Sequence, residues 1–228
     1  MKERPILFSG PMVKAILKDR KTQTRRILNC EHPVVTGFVP NGECGYWKGT
    51  AKSDAVIQQY ISTFPLTIKC PFGIVGDCLW VRETFCMGVI EEHDASEPGD
   101  RYLYVDDSDY GDGKQYPIYK QKVLDDGIEH DEVKWKPSIH MPRSASRILL
   151  EITAIRVERL KDISESDAVA EGGPKSHPSI DRVSRSLGFK NWSCSHFAQT
   201  WDWDNTVKWE VNPWVWVVEF KVIQGGKE

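Results

Sequence analysis

The 228-residue chain has no apolar run long enough to cross a bilayer. Its opening residues, Met1-Lys2-Glu3-Arg4-Pro5, do not lead into the apolar stretch of a secretory signal. No membrane partner is expected, and the compartment implied is the cytoplasm. None of the six cysteines (Cys30, Cys44, Cys70, Cys78, Cys86 and Cys194) forms a CxxC, so free thiols are expected. Cys30, His32, Cys44 and Cys70 are one set that a fold can gather round zinc. Their spacing matches no standard site, so neither a metal nor another cofactor is expected. Phosphate loops of the GxxxxGK[ST] type, GxGxxG after a strand, HExxH and GxSxG are all missing. These absences exclude the commonest nucleotide-binding, zinc-protease and serine-hydrolase templates. A dominant charge is lacking too. The net charge is -3, so a polyanion would have to be met by a local cluster.

What is present reads as an ordinary globular protein, with 40% apolar and 28% charged residues. No internal repeat and no Pro/Ser linker divides it. We expect one domain over 1–228, with insertions at about 30–65 and 88–134. Ile6-Leu7-Phe8 suggests a short strand, and Pro11 opens a helix to about Arg20 with Met12, Val13, Ile16 and Leu17 on its apolar face. A short helix is expected around Ser53 to Tyr60, and a strand over Cys78–Thr84. The acidic run from Asp106 to Gly113 lacks the closing Glu of a calcium loop and reads as a solvated hairpin tip.

Ile148 to Leu160 is the longest strand candidate. Leu150 and Ile152 hold one phase and Ile155 and Val157 the other, which implies a bulge near Thr153-Ala154. Ser164 caps the next helix, with Asp167 as a short-armed capping-box partner, and Glu171-Gly172-Gly173-Pro174 ends it. Residues 174 to 191 read as loop, Trp192 to Trp203 as helix, and Trp214 to Val222 as a closing strand. The class that follows is α+β: a twisted, mostly antiparallel sheet curling towards a small β-barrel, with a few flanking helices and an inserted hairpin region.

Three segments carry candidate chemistry. In Arg20-Lys21-Thr22-Gln23-Thr24-Arg25-Arg26, a last helical turn would put Lys21 and Thr24 on one face. A Thr hydroxyl needs a base, and a desolvated Lys can serve. Arg25 and Arg26 are suited to phosphate or a polar base edge. Lys14, Lys18, Arg20, Lys21, Arg25 and Arg26 fall within thirteen residues that hold one acid, Asp19. A basic helix end stabilised by its own dipole explains the same spacing. In Cys78–Thr84, Trp80 and Arg82 share one face of the strand, and Glu83 shares the other with Leu79 and Val81. Glu83 is thus a buried carboxylate in need of an Arg, a Lys or a substrate amine. Trp135-Lys136-Pro137-Ser138-Ile139-His140-Met141-Pro142-Arg143 is a stiff loop whose aromatic, imidazole and cations suit stacking on a base with phosphate contact; a packed loop is the plainer account. Trp201, Trp203 and Trp209 lie in polar surroundings and offer a further stacking surface.

These residues resemble the ASCH family, whose fold is a PUA-like β-barrel. The Arg20–Arg26 stretch looks like the family's N-terminal signature, with its second Arg one place early and Asp19 where the family usually has Gly. Gly76-Asp77, the Ile163–Gly172 helix and Val215–Lys221 resemble further family elements. The resemblance extends to a larger phage and prophage group through Trp80-Val81-Arg82-Glu83-Thr84, Pro137–Arg143 and Asn212-Pro213-Trp214-Val215-Trp216-Val217. Small bacterial members are amidohydrolases that deacetylate N4-acetylcytidine. By motif, the resemblance implies Thr24 as nucleophile, Lys21 as base and Glu171 as orienting group or proton relay. Arg25, Arg26, Trp80, Arg82, Glu83, His140 and Arg143 are candidates for binding RNA or a modified nucleoside, with DNA as an alternative. A non-catalytic RNA- or DNA-binding module and a ribonuclease using the same Lys or His140 are competing expectations.

Overall fold

The computed structural model describes residues 1–29, 37–40, 46–50, 67–92, 101–104, 115–128 and 133–225. The expected helix at Ser53 to Tyr60 and the acidic tip at 106–113 lie outside them. In chain order the strands are β1 (Glu3–Leu7), β2 (Gln23–Ile27), β3 (Gly37–Pro40), β4 (Tyr46–Thr50), β5 (Thr67–Lys69), β6 (Cys78–Arg82), β7 (Phe85–Glu92), β8 (Arg101–Tyr104), β9 (Tyr116–Tyr119), β10 (Leu149–Arg159) and β11 (Trp214–Gln224). The helices are α1 (Gly10–Leu17), α2 (Lys120–Asp126), α3 (Glu165–Ala170), α4 (Pro178–Ser186) and α5 (Trp192–Asp204). The protein is α+β, and no described helix is long and apolar enough to cross a membrane.

The central sheet has the order β1-β6-β10-β11-β2. Only β1 and β6 run parallel within it; the other neighbours are antiparallel. No backbone pairing closes this sheet among the described residues. It nevertheless curls until its edges are one side chain apart, because Arg26 on β2 donates from Nη2 to the carbonyl of Leu7 on β1. The segments following β2 and β6 form two small antiparallel sheets, β3-β4-β5 and β8-β7-β9.

β11 is apolar on both faces because both are covered. Trp214, Trp216, Val218 and Phe220 join a core with Ile16, Leu79 and Ile152. Val215 and Val217 join a second core with Cys194, Phe197 and Trp201 of α5. The long antiparallel pair β10–β11 shifts register between Ile152 and Ala154, where the phase of the apolar residues predicts a bulge.

Helix α1 stops at Leu17, three residues short of the expected end. Asp19 takes a positive φ of 53°, and the backbone N–H groups of Arg20 and Lys21 both return to the carbonyl of Ala15. The left-handed turn closes the helix and releases Lys21 into extended chain. Residues 178–186, expected as loop, form α4. Ile180, Val183 and Leu187 recur there at helical spacing but stay exposed, and the buried residues of the helix are Asp181 and Ser184.

Candidate functional site

Lys21 and Glu171 meet because two chain turns bring their backbones into pairing. They form an isolated antiparallel bridge, and Thr22 N–H donates to the carbonyl of Ala170 at 2.8 Å. On the α3 side, the expected capping box is in place: Asp167 N–H donates to Ser164 Oγ at 3.1 Å, and Ser164 N–H donates to Asp167 Oδ2 at 3.4 Å. The chain then turns at Gly172, with φ 97°. A Cβ there would stand 3.1 Å from Ala15 Cβ and 3.4 Å from Lys21 Cβ, so both conformation and space call for glycine.

The Lys21 side chain is 1% exposed. Its Nζ donates to Glu171 Oε2 at 2.6 Å and to the Glu171 carbonyl at 3.0 Å. Nζ also stands 5.8 Å from the centre of the Phe8 ring. Burial pulls the Lys21 pKa below its ordinary value, and the charge and hydrogen bond of Glu171 oppose the shift. The other carboxylate oxygen, Oε1, accepts from Arg25 Nη1 at 3.1 Å. Glu171 is therefore held between two cations, an arrangement that orients the carboxylate and leaves it poorly placed as a free base.

Arg25 is the buried hub of this network. It pairs through Nη2 with Glu158 and, at 3.3 Å, with Asp167, while its guanidinium lies 5.7 Å from the Phe197 ring centre. Arg156 then links Glu158, Asp167 and Glu219. Arg25 was expected to meet phosphate; its side chain is instead wholly buried and committed to carboxylates. Arg26 spans the two sheet edges, and Lys14 pairs with Asp125 of α2. The basic cluster of the sequence is thus dispersed by the fold, since alternation along β2 sends Arg25 and Arg26 to opposite faces.

Lys21 and Glu171 line a cleft of about 560 Å³. Ser9 and Met12 border it from the α1 side, and His196, Thr200, Trp203 and Asp204 from α5. The sequence points to α5 through its tryptophans, while His196 and Asp204 join the site in the structure. Their spacing from Thr200 and Trp203 at helical intervals, opposite Cys194, Ala198 and Trp201, is the signal that finds them. Desolvation lowers the His196 pKa, favouring the neutral imidazole. Thr24 is 2% exposed on β2 opposite Val218 and is not part of the cleft wall. The expected single helical face for Lys21 and Thr24 does not form, because the helix has already ended.

The remaining candidates do not line this cleft. Arg82 donates to the carbonyls of Met141 at 3.1 Å and Ile139 at 2.6 Å, and lies over the Trp80 ring at 5.2 Å. It clasps the Pro137–Arg143 loop to the sheet. Arg143 pairs with Glu3 at 2.6 Å, and His140 is exposed. Glu83 is bound by Arg147 through both oxygens, at 3.0 and 3.1 Å. It borders a different, smaller pocket with Gly10, Thr84 and Gln121. Cys30, His32 and Cys44 lie outside the described residues; Cys70 is a buried free thiol, and no metal-ligating cluster occurs among the described residues.

No protein-family profile, curated protein or solved structure matches the chain.

Proposed function

We propose that the Lys21–Glu171 cleft hydrolyses the amide bond of an N-acylated pyrimidine nucleoside of the N4-acetylcytidine kind, in a PUA-like barrel of ASCH type. The observation that carries this reading is the buried Lys21–Glu171 pair on the wall of a cleft with room for a small molecule. Its volume falls within the roughly 300–1,000 Å³ of small-molecule sites. The curled five-stranded sheet, whose edges Arg26 bridges, supports the barrel.

The chemistry asks for a base whose protonated form is not overly stable. Burial moves Lys21 in that direction, while Glu171, fixed by Arg25, holds the amine in place. Lys21 takes the proton of the attacking hydroxyl and delivers it to the departing N4 nitrogen, so that the acyl C–N bond breaks as the new C–O bond forms. The family resemblance assigns the attack to Thr24. Thr24 is buried and off the cleft wall, so the geometry favours a water in the cleft as nucleophile; attack by Thr24 would leave an acyl-Thr24 ester for water to hydrolyse. The products are the free nucleoside and a carboxylic acid.

The commitment of the cleft's lining cation to Glu171 favours a nucleoside over a nucleotide or an RNA strand. Among its described lining residues Lys21 is the one Lys or Arg, and it is matched by Glu171, with Asp204 as a second carboxylate. A phosphate would find no uncommitted Lys or Arg among those residues. The test is acetate release from N4-acetylcytidine by the full chain, with loss in Lys21→Met expected. Absence of turnover at high enzyme concentration across a panel of N-acylated nucleosides would overturn the reading.

A further inference from the structure

Helix α5 ends in a repeated dipeptide, Trp201-Asp202-Trp203-Asp204, whose halves have opposite fates. Trp201 is buried and donates from Nε1 to the carbonyl of Val207 at 2.8 Å. Asp202 accepts from Trp209 N–H at 2.6 Å and so fastens the turn that follows. Both residues of the first half are consumed by the fold. Trp203 is 90% exposed, and both it and Asp204 border the cleft. The Asp204 carboxylate is close enough to Arg26 to influence it, yet it makes no hydrogen bond or ion pair with any described residue.

Neither placement helps the helix. An acid in the last turn opposes the negative end of the helix dipole. A tryptophan left in water forgoes the burial that makes this side chain valuable to a fold. Beside each other at the mouth of a cleft, the two offer complementary recognition: a flat π-surface and a hydrogen-bond acceptor of fixed charge. That pair suits a planar base carrying a ribose, because every base presents a π-face for stacking and a carboxylate accepts from sugar hydroxyls.

Resting on the nucleoside reading of this cleft, we propose that Trp203 and Asp204 form its recognition half, Trp203 stacking on the base and Asp204 accepting hydrogen bonds from the ribose hydroxyls. Lys21 and Glu171 act on the acyl group, while α5 holds the part of the substrate that does not react. Specificity then resides in the outer turn of one helix, separate from the proton-transfer pair.

The experiment is equilibrium binding of cytidine to the full chain by titration calorimetry. Cytidine has no acyl group, so the measurement does not depend on turnover. Trp203→Ala weakens cytidine binding by about tenfold or more, and Trp203→Phe retains most of it. Asp204→Asn weakens cytidine by about fivefold, with no effect on 2′,3′-dideoxycytidine, which lacks the ribose hydroxyls. Unchanged thermal melting of the variants, expected for two exposed positions, shows that the fold is intact. The proposal is overturned if the wild-type chain binds no cytidine, if Trp203→Ala binds it as well as wild type, or if Asp204→Asn weakens both ligands equally. Cytidine binding that follows Trp203 and Asp204, without hydrolysis of any acylated nucleoside, overturns the hydrolytic reading alone.

Discussion

Two buried carboxylates in this protein each meet a cation, and the difference between them separates a candidate site from a strut. Glu83 is gripped by Arg147 through both oxygens, and that guanidinium is itself stacked 4.1 Å from the centre of the Tyr119 ring. Planar fork and planar carboxylate satisfy one another and leave little for a ligand to exchange. Glu171 instead shares its oxygens between Arg25, which is locked into a larger network, and Lys21, whose single-point ammonium borders a cleft. Burial raises the Glu83 pKa against the pull of Arg147 and lowers that of Lys21 against the pull of Glu171. Perturbation is therefore common to both pairs; what distinguishes them is that Lys21 and Glu171 line one cleft together, whereas Glu83 and Arg147 border two separate, smaller pockets.

The largest expected effect is on Lys21. Lys21→Met should reduce acetate release by about 10²- to 10⁴-fold, the usual weight of a general acid–base group. Steady-state assays with N4-acetylcytidine measure it, and comparable turnover in the variant would place Lys21 with the struts. Glu83→Gln should behave conversely. Leaving Arg147 without its counter-charge should cost about 3 kcal/mol of stability, read by denaturant unfolding, with kcat unchanged in the protein that remains folded.

The pH dependence separates the pairs further. If the Lys21 amine is the base, kcat/KM should rise with pH through a pKa below the ordinary lysine value and then level off. Stability should move the same way. A lysine with a depressed pKa binds fewer protons in the folded state than in the unfolded one, so unfolding becomes harder as pH climbs from its folded pKa towards 10.5. Lys21→Met should remove that slope. The raised Glu83 pKa has the opposite sign, its relative contribution falling as pH rises from 4.5 through its folded value, and Glu83→Gln should remove that dependence. Thermal melts across pH report both.

The smallest effect concerns the turn that delivers Lys21. Asp19 occupies a left-handed conformation with φ 53°, which glycine adopts without steric penalty. Asp19→Gly should leave the fold intact and stabilise it by up to about 1 kcal/mol, raising Tm without altering cytidine binding. A loss of stability would show that the aspartate side chain supports the turn.

Local chemistry made some of this visible in the residues alone. Ser164 and Asp167 announced the start of α3, and the phase change between Ile152 and Ile155 announced the bulge in β10, because both signals are carried by neighbours in the chain. Helix α4 carries a local signal too, since Ile180, Val183 and Leu187 stand at helical spacing, but those residues are exposed and polar residues surround them. Its buried groups are Asp181, which accepts from Trp192 N–H, and Ser184, whose hydroxyl meets that of Ser195, so the face it packs is polar. Glu83 was legible as a carboxylate needing a partner, but Arg147 lies 64 residues away, and no local pattern names it.

The sequence by itself determined the class of the molecule, the strands and caps just described, and a desolvated Lys21 as a candidate base, while Glu171 entered only through the family resemblance. Only the tertiary structure decided their company. It stopped α1 at Leu17, paired Lys21 with Glu171 across 150 positions, buried Arg25 among carboxylates and left Thr24 off the cleft wall. It also divided Trp201-Asp202-Trp203-Asp204 into a structural half and an open one. The physical reason is that helix periodicity, capping and turn preference act over a few residues. Burial, ion pairing and cavity shape depend on which distant segments a curled sheet brings together.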